Sequence, residues 1–212
     1  ILVHVVAIGW LSLQMCGALL QFVPVLVAQP LHSNALALPA LAALVAGLAA
    51  LILGFLQIDG RVGFAFPFLA AAGVLLSVGF ALVLWNLGRT LVAARSRPLP
   101  ALFVVVGLVS VAATVALGAT FAFVLGGTAG YRPLVALTAG GLPIHVVAGL
   151  GGWLTFTAMG VSYRLLAMFM LAPELERRST KAALYLGAAA LAVAVAGGIL
   201  AVLIEGNPDL AL

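Results

Sequence analysis

The chain is 212 residues long, 66% hydrophobic and only 7% charged, with a mean hydropathy of +1.34. Ordinary soluble domains carry about 25% charged residues, so a water-soluble globule is excluded and the chain reads as an integral membrane protein whose first partner is the lipid bilayer. A net charge of +4 brings nucleic acid to mind, but the basic residues are scattered mostly over connecting loops and form no stripe that could track phosphates.

Apolar runs of about 20 residues are long enough to cross a hydrocarbon core of ~30 Å. Six can be counted, at about 1–28, 35–57, 66–93, 101–125, 143–171 and 182–204. Strict alternation is absent and Ala, Leu and Gly dominate, so these are helices and not barrel strands. The expected architecture is a single all-α domain, residues 1–212, a polytopic membrane bundle.

The first segment opens on His4-Val5-Val6-Ala7, continues through Gly9-Trp10-Leu11 and Gly17, and stops at Gln29-Pro30. It is too long for a signal-peptide core and shows no small-residue cleavage pattern, which makes it a spanning helix. The chain starts at Ile1, which leaves room for a further leading helix. His32 falls in the polar first connection and reads as a solvated loop residue. The second segment carries Gly47 and Gly54, a spacing that points to close helix packing, and ends at Asp59-Gly60-Arg61. The third ends near Arg89, Arg95 and Arg97, with Pro98 and Pro100 as breakers before the fourth. The longest connection, Gly126 to Pro143, contains Gly126-Gly127, Tyr131-Arg132-Pro133 and Gly140-Gly141 and predicts a short surface or re-entrant helix just above His145. The fifth segment opens on His145-Val146-Val147-Ala148 and runs through Gly152-Trp153-Leu154 and Gly160 to Pro173. The sixth carries Gly187 and Gly198 and is followed by Asn207-Pro208.

Arg89, Arg95 and Arg97 in or beside the third connection, and Arg177, Arg178 and Lys181 in the fifth, outnumber Arg61 and Arg132 in the second and fourth. The positive-inside rule therefore puts the third and fifth connections in the cytoplasm and the amino terminus outside. A bacterial or archaeal plasma membrane is the expected setting. Cys16 is the single cysteine, so no intrachain disulfide can form and the compartment cannot be read from cysteine use.

The first and fifth segments repeat each other. A shift of 143 residues superposes Gly9, Trp10, Leu11, Gly17 and Pro30 on Gly152, Trp153, Leu154, Gly160 and Pro173, but the histidines then miss by two positions. In a regular α-helix two residues mean about 3 Å of rise and roughly 200° of rotation. Either the histidine tetrads or the Gly-Trp steps are expected to occupy equivalent places, not both. Parallel repeats of this kind often build a site at their interface.

The topology sends both segments in the same direction, so His4 and His145 fall at similar depth near the outer ends of two parallel helices. Two neutral imidazoles facing each other suit the two axial positions of a haem iron. Gly9, Gly149, Gly151 and Gly152 are expected to leave room for a flat ring, Trp10 and Trp153 to line a pocket or join the outer aromatic belt, and Arg61 and Arg132 to meet haem propionates. The plainer alternative makes each histidine a hydrogen-bonded residue at headgroup level, although ionisable residues within membranes default to functional hypotheses.

The stretches HVVAIGWLSLQMCGALLQFVPVLVAQP from His4 and HVVAGLGGWLTFTAMGVSYRLLAMFMLAP from His145 resemble the haem-binding helices of the haem-copper oxidase subunit I superfamily, most closely its small relatives. The resemblance covers about 55 residues in two blocks. It implies haem b held near the outer ends of the helices by His4 and His145. The superfamily's second metal needs a further cluster of about three histidines, whereas this chain has three in all. No binuclear centre can be built from one chain, no copper is expected, and a complete oxidase is not. What remains is electron transfer, or binding of a small gas such as NO or O2, with two-histidine ligation favouring the former. The alternative from another class is a cofactor-free transporter or assembly subunit of a respiratory complex. A third variant gives each histidine its own haem.

Arg164 reads as a snorkelling residue near the cytoplasmic end of the fifth helix, and Met15, Met159, Met168 and Met170 as packing residues. Glu174, Glu176 and Asp209 fall in loops or tails. No phosphate loop, Ser-His-Asp set or zinc spacing is present. Glycine-rich faces make a homo-oligomer an open expectation.

Overall fold

The computed structural model describes residues 1–63, 65–172 and 177–206. The predicted positions Pro173, Glu174, Glu176, Asn207, Pro208 and Asp209 lie outside the described residues. Among the described residues six helices are long and apolar enough to cross a membrane: α1 (Leu2–Leu26), α2 (Asn34–Ile58), α3 (Phe68–Ala93), α4 (Leu99–Leu125), α6 (Leu142–Phe169) and α7 (Arg178–Glu205). A short helix, α5 (Arg132–Gly140), fills the long connection where one was expected. Among the described residues no strand occurs.

Small residues set how closely the spans approach. A Cβ on Gly47 would meet the Leu76 side chain at 2.8 Å, one on Gly79 would meet Leu44 at 2.7 Å, and Gly54 is likewise closed off by Leu69, so α2 and α3 lie nearly in backbone contact. A second seam joins α4 to α6. Gly107, Ser110, Thr114 and Gly118, spaced three or four apart and therefore on one face of α4, meet Thr157, Gly152, Gly149 and His145 of α6 in turn. Gly187 packs on Phe156 and Gly198 on Ile144, which docks α7 against α6. The core between these helices contains Leu19, Val23, Leu44, Leu87, Phe103 and Val104, all but inaccessible.

Helix ends follow cap chemistry. At Gly60 (φ 73°) and Gly127 (φ 70°) the chain turns left-handed, and the N–H groups of Gly60 and Arg61 reach back to the carbonyls of Gln57 and Leu56 in the bonding pattern that closes a helix around a left-handed residue. The same cap closes α1 and α6, with Ala28 (φ 50°) and Leu171 (φ 49°) in place of glycine. Ala28 and Leu171 are themselves 143 positions apart, and their bonds correspond one for one: Ala28 to Val25 and Gln29 to Pro24, Leu171 to Met168 and Ala172 to Ala167. The repeat is thus a feature of backbone geometry as well as of sequence.

The first connection is pinned to α3. The His32 N–H donates to Thr90 Oγ1 at 3.0 Å, the Ser33 N–H to Asn86 Oδ1 at 2.9 Å, and Asn86 Nδ2 back to the Ser33 carbonyl at 2.7 Å. The His32 side chain itself is exposed, as expected of a loop residue.

Candidate functional site

The two histidines face each other. His4, on the first turn of α1, and His145, on the first turn of α6, have ring centroids 6.5 Å apart with their planes inclined by 36°. Both rings are half-buried. The winding of the two helices explains how they meet despite the two-residue slip. Directly after His4, and one residue after His145, the helix opens into π-type turns, Val5–Ser12 over eight residues in α1 and Val147–Phe156 over ten in α6. The two extra residues of the second copy fall within its longer π segment, so the caps and the histidines both keep corresponding places. The expected either-or between the histidine tetrads and the Gly-Trp steps agrees with the structure, since the histidines come together whereas Trp153 is buried and Trp10 exposed; π-type turns of this kind often sit at functional sites.

Around the pair the second copy is the more tightly held. His145 Nδ1 lies 3.0 Å from the Thr114 carbonyl oxygen. A carbonyl only accepts, so Nδ1 carries the proton and Nε2 keeps its lone pair, the arrangement usual for a metal-binding imidazole whose far nitrogen is anchored. Gly118 allows this approach, since a Cβ there would sit 3.1 Å from His145 Cε1. Phe121 stands 5.5 Å from the His145 ring. The His4 ring stands 5.5 Å from Phe55 of α2 and has no hydrogen-bond partner among the described residues.

The remaining sequence candidates lie apart from the pair. Trp153 is buried at 3% exposure and donates from Nε1 to Ser12 Oγ at 3.0 Å, tying α6 to α1. Trp10, its counterpart, is 67% exposed on the outside of the bundle. Arg61 is paired with Asp59 at 2.6 Å in the second connection, and Arg132 is exposed at the start of α5. Both belong to the end of the bundle that holds the histidines. The space expected beside the glycines is largely taken: Leu48 closes on Gly9, Thr114 on Gly149 and Ser110 on Gly152, while Gly151 remains open.

Phe55, Phe121, Gly118 and the Thr114 carbonyl are site components that sequence reasoning missed. A backbone carbonyl leaves no signature in a sequence, and isolated phenylalanines in apolar helices look like any other core residue. The spacing of Gly107, Ser110, Thr114 and Gly118 was a usable signal, for it marks the face of α4 turned toward His145. Among the described residues no group of three or more His, Cys, Asp or Glu side chains converges.

Two imidazoles that bind one metal ion from opposite sides, each ~2 Å from it, have their centroids roughly 6 Å apart. The observed separation and the free Nε2 of His145 fit that donor set. The chain matches no protein-family model, no curated protein and no solved structure.

Proposed function

We propose that this chain is a membrane haem b protein in which His4 and His145 are the two axial ligands of one iron, and that it carries single electrons. The observation that supports this most is the facing of the two rings at 6.5 Å, with His145 held by Thr114 in the ligand tautomer. Haem b, when bound, supplies a one-electron iron couple whose potential is set by its axial ligands and surroundings. The chain's own contributions are orientation and an apolar setting. Thr114 fixes the His145 ring, Phe55 and Phe121 bound the pair, and Val5, Val6, Val146 and Val147 turn apolar side chains outward beside it. Arg61 and Arg132, at the same end, are the cations available to propionates. The resemblance to the haem-copper oxidase subunit I superfamily supports the same reading, without a second metal. With the porphyrin nitrogens and both imidazoles on the iron, no position would be left for a gas, which favours electron transfer over gas binding. The excess of Arg and Lys at the opposite end supports an amino terminus outside a bacterial or archaeal plasma membrane.

A competing reading, a cofactor-free bundle serving as transporter or assembly subunit, draws on one observation. Two clefts among the described residues, about 470 Å³ along Thr155 to Leu166 and about 400 Å³ between Gln57, Phe66 and Leu125, are lined by neither histidine. An absorption spectrum after haem-replete expression separates the two. A Soret band that disappears in the His4→Ala/His145→Ala double variant is expected; a colourless preparation, or a band unchanged by the double substitution, contradicts the haem reading.

A further inference from the structure

Running toward the end of the bundle remote from the histidines, α3 carries a stripe of outward residues spaced three or four apart: Val74, Val78, Ala81, Trp85 and Arg89. Val74 is 50%, Val78 47% and Trp85 58% exposed, so this is a face that α3 turns to the membrane. Its last turns change character. The Arg89 guanidinium carbon lies 5.5 Å from the centroid of the Trp85 ring, and the His32 ring meets the same indole edge-on at 6.4 Å.

His32 is not there by chance of a loose loop. The backbone at His32 and Ser33 is fixed by Thr90 and Asn86, two polar side chains each buried to 1% exposure on the inner face of the same helix. Burying polar groups is costly unless they are fully bonded, and here they serve to hold the first connection against α3. The result is a fixed arrangement of one cation, one interfacial indole and one imidazole at the end of an apolar track.

We propose that this is a binding site for an anionic phospholipid, with an acyl chain along Val74, Val78 and Ala81 and the headgroup phosphate at Arg89 over Trp85, bordered by His32. Three features favour it. A guanidinium is the side chain best matched to a phosphate, and held over an indole it is already oriented. Among the described residues the carboxylates, Asp59 and Glu205, belong to the other end of the bundle from Arg89. The apolar track beyond the cation distinguishes a lipid from a free phosphate ion.

The test is native mass spectrometry of the full chain in neutral detergent containing equal amounts of phosphatidylglycerol and phosphatidylcholine. Adducts of phosphatidylglycerol are expected to dominate. Arg89→Gln should reduce that preference about fivefold, the worth of one cation near an anionic lipid surface. Trp85→Leu should weaken it, and Arg89→Lys, which keeps the charge, should retain it. Arg132→Gln removes an exposed cation at the opposite end and should leave it unchanged. Circular dichroism of Arg89→Gln, an exposed position, should match the parent. Equal retention of the two lipids, a preference that survives Arg89→Gln, or one lost in Arg89→Lys overturns the proposal. So does displacement of phosphatidylglycerol by inorganic phosphate at equal concentration, which would assign the cation to a free anion.

Discussion

The two copies of the repeat, α1 and α6, end in the same left-handed cap and begin with the same histidine tetrad, yet the bundle uses them differently. In α6, Trp153 is buried and bonded, Gly160 lies against the Pro100 carbonyl and Phe103, and His145 is anchored by Thr114. In α1, Trp10 is 67% exposed, Gly17 has nothing within 4 Å of where a Cβ would be, and the His4 ring rests on Phe55. Matching residues in a repeat therefore do not imply matching duties. The residues that come together are the histidines, and they are reached by unequal stretches of π-type winding.

The largest difference between the copies should appear at the histidines. His145→Ala removes the proposed ligand that Thr114 orients and should abolish haem retention. His4→Ala should leave haem on His145 with one position open, detectable as a reduced form that now binds CO. If both single variants lose haem equally, the two ligands are held alike and the asymmetry is wrong.

The next effect is steric. Gly160→Ala places a methyl against the Pro100 carbonyl and the Phe103 and Val104 side chains, and overpacking of this kind costs about 1–3 kcal/mol. Gly17→Ala at the corresponding place of α1 meets nothing and should stabilise by up to about 1 kcal/mol through helix propensity. Unfolding in mixed micelles measures both, and the opposite signs are the expectation. Trp153→Phe breaks the bond to Ser12 and should cost about 1 kcal/mol, in line with hydrogen bonds between membrane helices. Trp10→Phe should lie within about 0.5 kcal/mol of the parent. The remaining effect concerns what the copies share. Non-glycine residues in a left-handed cap are strained by about 1–2 kcal/mol, so Ala28→Gly and Leu171→Gly should each stabilise modestly and by similar amounts. Unequal responses would mean that the caps are less alike than their bonding.

Much of the fold was legible because a membrane simplifies the code. Apolar length and breaker residues placed all six spans, and the observed ends differ from the expected ones by at most a few residues, as at Leu2–Leu26 and Arg178–Glu205. The short helix before His145 was legible from Tyr131-Arg132-Pro133, since proline suits a first helical turn. The facing of the histidines was legible as depth but not as rotation, because regular winding misorients them by two residues and no sequence rule here marks Val5–Ser12 or Val147–Phe156 as π-type. Which tryptophan enters the core was equally hidden. Trp10 and Trp153 sit in the same Gly-Trp-Leu context, and only the position of each helix among its neighbours separates them.

The central claim is that two histidines share one iron, and the most direct measurement is the haem content of the purified chain together with its response to CO. One haem per chain, low-spin, with a reduced spectrum that CO does not alter, is the predicted result. Two haems per chain, or a CO complex formed by the unaltered protein, would contradict it.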